Sequence, residues 1–366
     1  MRAMFTPQLV NEPFGDPGLY VDFNFEHRAL LFDLGDPGQL APKKILRVSD
    51  VFVSHTHMDH FVGFDHVLRL CLARPTSIRL YGPPGFVAQV QHKLGAYTWN
   101  LVENYPGDFF IEVWEVDAGW HATGARLRCR RRFECEPLAP REFTDGVLHD
   151  EAAFRVRAAV LDHGIPCLGF ALEEKVHVNV WKNRLADLGL GVGPWLSALK
   201  DAVARGDHDA TPVRAPARDG DPAHERVFSL GFLKAAVLQL VAGEKIGYVT
   251  DVAFTPDNIE RIAALARDAT QLFIECTFLD EDADRAAGKK HLTARQAGTI
   301  ARACGAKRLM PFHFSPRYSD REAQLRAEAE AAWSGSSDAA PASPTREPLA
   351  QPDPPAPRAA SRAAAR

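Results

Sequence analysis

Apolar and polar positions alternate from Leu19 to Asp33 around the polar trio Glu26-His27-Arg28, which predicts two antiparallel strands joined by a turn. Val48 to Ser54 predicts a further strand. Ser77 to Tyr81 is another, stopped by Gly82-Pro83-Pro84-Gly85, and Phe109 to Val116 and Phe154 to Leu161 follow the same pattern. In the second half Lys245 to Thr250 and Gln271 to Glu275 are strands, separated by a helix that begins at Thr255-Pro256. Proline suits a first helical position because its missing N–H would have gone unbonded there anyway. Strands and helices alternate in both halves, so the expected fold class is α/β, with two sheets packed together and helices outside.

The rhythm breaks between Lys175 and Arg226, where Gly189 to Pro194 and an Asp/Arg/Pro/Gly-rich run from Gly206 to Asp221 leave only weak periodicity. This segment is expected to leave the core as an arm inserted in a domain of residues 1–333. It carries eight lysines and arginines against seven acids, a thin surplus for a polyanionic ligand. After Trp333 the composition falls to Ala, Pro, Ser and Arg, so residues 334–366 are expected to form a disordered tail.

With 46% hydrophobic and 25% charged residues, the 366-residue chain can bury a sizeable core. Met1 to Val10 lacks a basic start followed by an apolar run, and no segment reaches the roughly 18 apolar residues of a membrane span. A cytoplasmic protein without membrane contact is expected. Six widely spread cysteines, with no Cys-x-x-Cys pair, predict reduced and mostly buried thiols. A formal net charge of −4 gives no global attraction to nucleic acid. Arg126, Arg128, Arg130, Arg131 and Arg132 crowd into seven residues. They fit either a local phosphate patch or an edge strand protected by charge.

The densest chemistry is His55-Thr56-His57-Met58-Asp59-His60, three imidazoles and a carboxylate at the end of an apolar strand. Zinc takes such ligands, and a loop leaving a strand end can turn several toward one point. One loop cannot complete two coordination spheres, however. Val160-Leu161-Asp162-His163, Gly247-Tyr248-Val249-Thr250-Asp251 and Leu309-Met310-Pro311-Phe312-His313 each put a potential ligand just after a strand. Singly, each is as much a hydrogen-bonded core residue as a ligand; together they repeat one architecture. His66, on the following helix, reads as a helix-face residue.

These motifs resemble the metallo-β-lactamase superfamily over roughly residues 10–333, and within it ribonuclease Z. Leu80-Tyr81-Gly82-Pro83-Pro84-Gly85, Asp162 to Phe170 and His313-Phe314-Ser315-Pro316-Arg317-Tyr318 are similar to its neighbouring segments. Glu275-Cys276-Thr277-Phe278 and His291-Leu292-Thr293-Ala294 resemble its Glu-Ala-Thr and His-Ser-Thr loops. Leu188 to Pro194 resembles the Gly-Pro segment of its tRNA-binding arm. Ile274 and Met58 depart from the pattern, standing where histidine and glycine are usual. The resemblance implies a four-layer αββα sandwich with an inserted arm. It also implies two Zn2+ per chain, with Mn2+ as a substitute: His55, His57 and His163 on the first ion, Asp59, His60 and His313 on the second, and Asp251 bridging.

The implied activity is that of a zinc-dependent phosphodiester hydrolase, an endoribonuclease cutting precursor tRNA near its 3′ end, working as a homodimer. The same ligand set serves cyclic-nucleotide phosphodiesterases, arylsulfatases and lactonases, so the ester remains open. A non-catalytic RNA-binding module would show missing ligands, and none is missing. Two metals about 3.5–4 Å apart would bring the pKa of a shared water toward 7. Asp59 then either orients that water and takes its proton or serves as a plain ligand. His291 is the candidate general acid or oxyanion partner. The positive end of the helix capped by Thr293-x-x-Gln296 would lower its pKa, and Glu275 is the carboxylate expected to offset this.

Overall fold

The computed structural model describes residues 3–218 and 224–335. Of the expected tail, 336–366 lies outside the described residues. Ser334, placed in the tail by composition, instead closes the helix Glu322–Ser334, which buries Leu325 and Ala329. That helix stops at Gly335, whose φ of 76° is the left-handed turn that ends many helices.

The first sheet runs in chain order: β1 (Phe5–Leu9), β2 (Leu19–Phe23), β3 (Ala29–Phe32), β4 (Val48–Phe52), β5 (Ser77–Gly82), β6 (Phe110–Val116), β7 (His121–Arg128) and β8 (Cys135–Glu142). Its middle, β3 to β6, is parallel, and its two flanks are antiparallel. The second sheet starts with β9 (Val147–Asp150), β10 (Phe154–Asp162) and β11 (Pro166–Glu174). The chain then leaves for the arm, through β12 (His177–Val180), β13 (Pro212–Ala215), β14 (Arg226–Ser229) and β15 (Leu238–Val241). It returns as β16 (Lys245–Val249), β17 (Gln271–Glu275) and β18 (Leu309–Phe312), giving the order β18-β17-β16-β11-β10-β9.

The sheets face each other across an aromatic layer. Phe52 stacks between Phe32 and Tyr81, with centroids 5.2 and 4.9 Å away, and Phe170 and Tyr248 of the second sheet lie 5.7 and 5.9 Å from Phe32. Burying such a ring stabilises by about 1.5–3 kcal/mol, and each well-set pair adds about 0.5–1.5 kcal/mol. Helices Phe64–Cys71 and Phe86–Gly95 cover the outer face of the first sheet, and Pro256–Leu265 and Ala294–Ala303 that of the second. These are the four layers expected. The helix at Thr255-Pro256 forms as its signals predict: the Thr255 hydroxyl accepts the Asn258 N–H, worth about 1 kcal/mol.

The arm has its own small core, including Val178, Leu185, Leu199, Leu230 and Val237. It extends past Arg226, because β12 and β15 pair antiparallel with His177 opposite Val241. The arginine run fits neither expectation. Strand β7 is covered by β8 and is not an edge, and the chain turns at Cys129–Arg131. Arg126 pairs with Glu112, Arg128 with Asp108 and Glu136, Arg131 with Glu136 and Arg132 with Glu103. The six cysteines are unpaired, five buried and Cys135 exposed. Among the described residues no helix is long and apolar enough to cross a membrane.

Candidate metal centre

Parallel strands deliver their loops to one end of a sheet, and ligands gather outside those carboxyl ends. Just beyond β4, Ser54 and His55 are fully buried, and His57 caps the short helix Met58–Phe61. His163 follows β10 in a tight turn where Gly164 has a φ of 82°. Asp251 follows β16 with φ 44°, and His313 follows β18 with φ 57°. Non-glycine residues seldom adopt this backbone, so Asp251 and His313 sit in strained conformations that the surrounding packing must hold.

The seven residues converge. Asp251 Oδ2 lies 3.5 Å from His55 Nε2, 3.4 Å from His60 Nε2 and 3.4 Å from His163 Nε2. Asp59 Oδ2 lies 3.4 Å from both His60 Nε2 and His313 Nε2. A tetrahedron with zinc–ligand bonds of about 2.0–2.2 Å has edges of about 3.3–3.6 Å. The spacing therefore fits ligands around a common ion, and it exceeds hydrogen-bond length. His55, His57, His163 and Asp251 form one cluster that could hold a cation, Asp59, His60 and His313 form another, and Asp251, Glu275, His291 and His313 lie equally close together. The Nε2 atoms of His55 and His60 are buried with no hydrogen-bond partner, which proteins rarely tolerate unless something else satisfies them.

The neighbours of these groups set which of them favour a proton. Burial, together with neighbouring His60, pushes His55 down to about 2. Burial opposes charge on His60 too, yet Asp251 and Asp33 hold it well above the usual imidazole range. Burial likewise opposes charge on His313, which Asp251 and Asp59 raise to about 10. Asp251 is held low by His60 and His313 in spite of its burial. Protons thus balance the carboxylates, and a divalent cation would displace them.

His291 stands beside this centre in the loop between helices Ala283–Lys289 and Ala294–Ala303, the second of which carries the predicted capping box of Thr293 and Gln296. Its Nδ1 lies 2.9 Å from Glu275 Oε2. Burial lowers the His291 pKa, and fully buried Glu275 more than reverses this. Glu275 is itself anchored by the Val252 N–H at 2.7 Å and the Thr277 hydroxyl at 2.5 Å. His57, Asp59, Asp251, His291 and His313 line one cleft of about 340 Å³, with Phe14, Phe278, Lys289 and Phe314 as its walls. His66 is exposed on its helix.

Several supporting residues escaped sequence reasoning. The Lys290 carbonyl accepts the Nδ1–H of His163 at 2.8 Å, and Lys290 has a φ of 61°. Asp33, fully buried, lies 2.9 Å from His60 Nδ1. The pattern of a strand followed by an acid, used to find Asp251, would have flagged it.

A family model described as "Beta-lactamase superfamily domain" matches residues 198–314. The chain is 32% identical to the ribonuclease Z of Deinococcus radiodurans over 329 residues, 88% of this chain and 93% of that one. It is 28% identical to the ribonuclease Z of Treponema pallidum, covering 81% of each. The fold is similar to that of the metallo-β-lactamase fold protein YhfI from Bacillus subtilis, with a TM-score of 0.51, 14% identity, and coverage of 90% of this chain and 94% of that one. Identity of this extent along nearly the whole chain, joined to the converging histidines and aspartates, makes it a member of the ribonuclease Z family of metal-dependent hydrolases within the metallo-β-lactamase superfamily.

Proposed function

We propose that the chain cuts precursor tRNA near its 3′ end, using two zinc ions for which manganese can substitute. His55, His57 and His163 hold the first ion, Asp59, His60 and His313 the second, and Asp251 both. The observation that carries this assignment is the near-equal spacing of Asp251 Oδ2 from three imidazole nitrogens. Such a pair supplies Lewis acidity toward phosphate oxygens and a water of lowered pKa.

The residues around it do the rest. Glu275 accepts the Nδ1–H of His291 and fixes its ring, leaving Nε2 to donate a proton to the departing alkoxide oxygen. Asp59, 42% exposed at its side chain, faces the cleft and orients the attacking water. The arm grips the body of the RNA away from the scissile bond. We further propose a cytoplasmic homodimer: six unpaired thiols suit a reducing compartment, and the exposed Met58 and Val62 offer apolar surface beside the cleft. Sedimentation velocity at micromolar concentration tests the dimer.

The test of function is cleavage of a precursor tRNA with mapped ends, alongside hydrolysis of a nitrophenyl phosphodiester. A single cut near the 3′ end, lost with a chelator, is expected. Turnover of the small ester with no action on the RNA would point to another phosphodiester substrate.

A further inference from the structure

We propose that the Ser54 hydroxyl joins His55 to His60 through Asp33, so that one buried carboxylate orients a histidine in each of the two metal clusters. The inference rests on the reading of those histidines as cation ligands.

Asp33 leaves β3 with a φ of 58°, a conformation that aspartate tolerates better than most residues, and it is fully buried. A carboxylate in such a place needs donors. The Ser54 N–H donates to Oδ1 at 2.6 Å. Oδ2 takes the Ser54 hydroxyl, the Tyr248 hydroxyl and His60 Nδ1–H, each at 2.9 Å. Serine has a single hydroxyl proton. With that proton committed to Asp33, the Ser54 oxygen is left to accept Nδ1–H of His55, which lies 3.0 Å away. The same oxygen is 3.4 Å from His60 Nδ1, a poorer contact than the one His60 makes with Asp33.

Counting protons through this chain keeps one on Nδ1 of both histidines, so the Nε2 atoms are the ones that would present lone pairs to a cation. Those two atoms are the buried nitrogens that lack a hydrogen-bond partner and lie 3.4–3.5 Å from Asp251 Oδ2. The other candidate partner of His55 Nδ1 is Cys167 Sγ at 3.9 Å, too weak an acceptor to fix the ring. His163 takes its orientation separately, from the Lys290 carbonyl. Ser54 is thus a positioning residue for both clusters, although it belongs to neither.

The experiment titrates the full chain with cobalt(II) against a competing chelator, which resolves two dissociation constants, and follows the visible absorption bands that report coordination geometry. Ser54→Ala, checked for folding by circular dichroism, should bind cobalt about 10- to 100-fold more weakly at the position held by His55. It should also weaken the position held by His60, with altered bands. Ser54→Thr, which keeps the hydroxyl, should restore both. Loss at only one position, equal damage by alanine and threonine, or a Ser54→Ala chain indistinguishable from a wild type that takes up two ions would each overturn the relay alone. A wild-type chain that takes up no cobalt overturns both the relay and the ligand reading beneath it.

Discussion

The cleft and the arm handle charge in opposite ways. In the cleft, imidazoles and carboxylates are buried within a few ångströms of one another, on backbone held in left-handed conformations at Asp33, Asp251 and His313. In the arm, the cations are partly or fully exposed and locally compensated: Arg205 pairs with Asp207, Arg214 with Glu225 and Lys234 with Asp209. Others lie over aromatic rings, Arg184 on Trp181 and Arg226 on Phe228. Bond cleavage needs atoms fixed to a fraction of an ångström, which burial and over-determined packing supply. Holding a large polyanion needs reach, and under the proposed function that task would fall to the arm.

The sharpest test of this division removes the centre itself. Chelation, or Asp251→Ala, should abolish hydrolysis of RNA and of a nitrophenyl phosphodiester alike, and zinc or manganese should restore only the chelated wild type. Metal analysis alongside turnover checks this, and activity that persists without metal would erase the distinction between the two regions.

One step away from the candidate ligands, His291→Ala should leave metal content unchanged and slow RNA cleavage by roughly 10²–10⁴. The small ester should suffer far less, because its leaving anion needs no proton. The pH profile carries the sign. Glu275 holds the His291 pKa above the ordinary imidazole range, so the protonated ring persists to higher pH and activity falls as pH rises through that raised value. Glu275→Gln should move this basic limb to lower pH.

The arm is the converse case. His177 and Val241 face each other across β12 and β15, so a short Gly-Ser linker can replace residues 178–240. The KM for precursor tRNA should rise on the order of tenfold or more, less so at high salt, while small-ester turnover stays within about twofold. Equal loss on both substrates would mean that the arm also shapes the cleft.

The smallest effect lies outside the cleft. The hydrogen bond from His149, and Arg28 beside it, overcome burial to hold the Glu151 carboxyl down at about 2. A depressed carboxyl stabilises the fold above its unfolded pKa, and that contribution is lost as pH falls from 4.5 to about 2. Glu151→Gln should flatten acid denaturation in that window by less than about 1 kcal/mol, since the group is partly exposed.

What could be read from sequence divides along the same line. His55 to His60 announce themselves because the ligands crowd one loop, and His163, Asp251 and His313 because each ends an apolar strand. The Ser54–Asp33–Tyr248 network was invisible, since Tyr248 and Asp33 meet across 215 positions of chain. The acids that neutralise Arg126 and Arg132, Glu112 and Glu103, are likewise brought to them only by folding. The arm's true extent was missed because pairing of β12 with β15, and not composition, closes it.

Lys290 has a consequence of a different kind. Its carbonyl steadies His163 and its left-handed backbone closes helix Ala283–Lys289. Trimming the residue to alanine would leave that carbonyl in place and look neutral, and glycine would even relieve the main-chain conformation. A β-branched residue, chemically milder than losing a charge, would push the carbonyl off its target. Mutational surveys that delete side chains would therefore pass over a position whose importance is written in main-chain torsion, and conservative-looking replacements there would do the most harm.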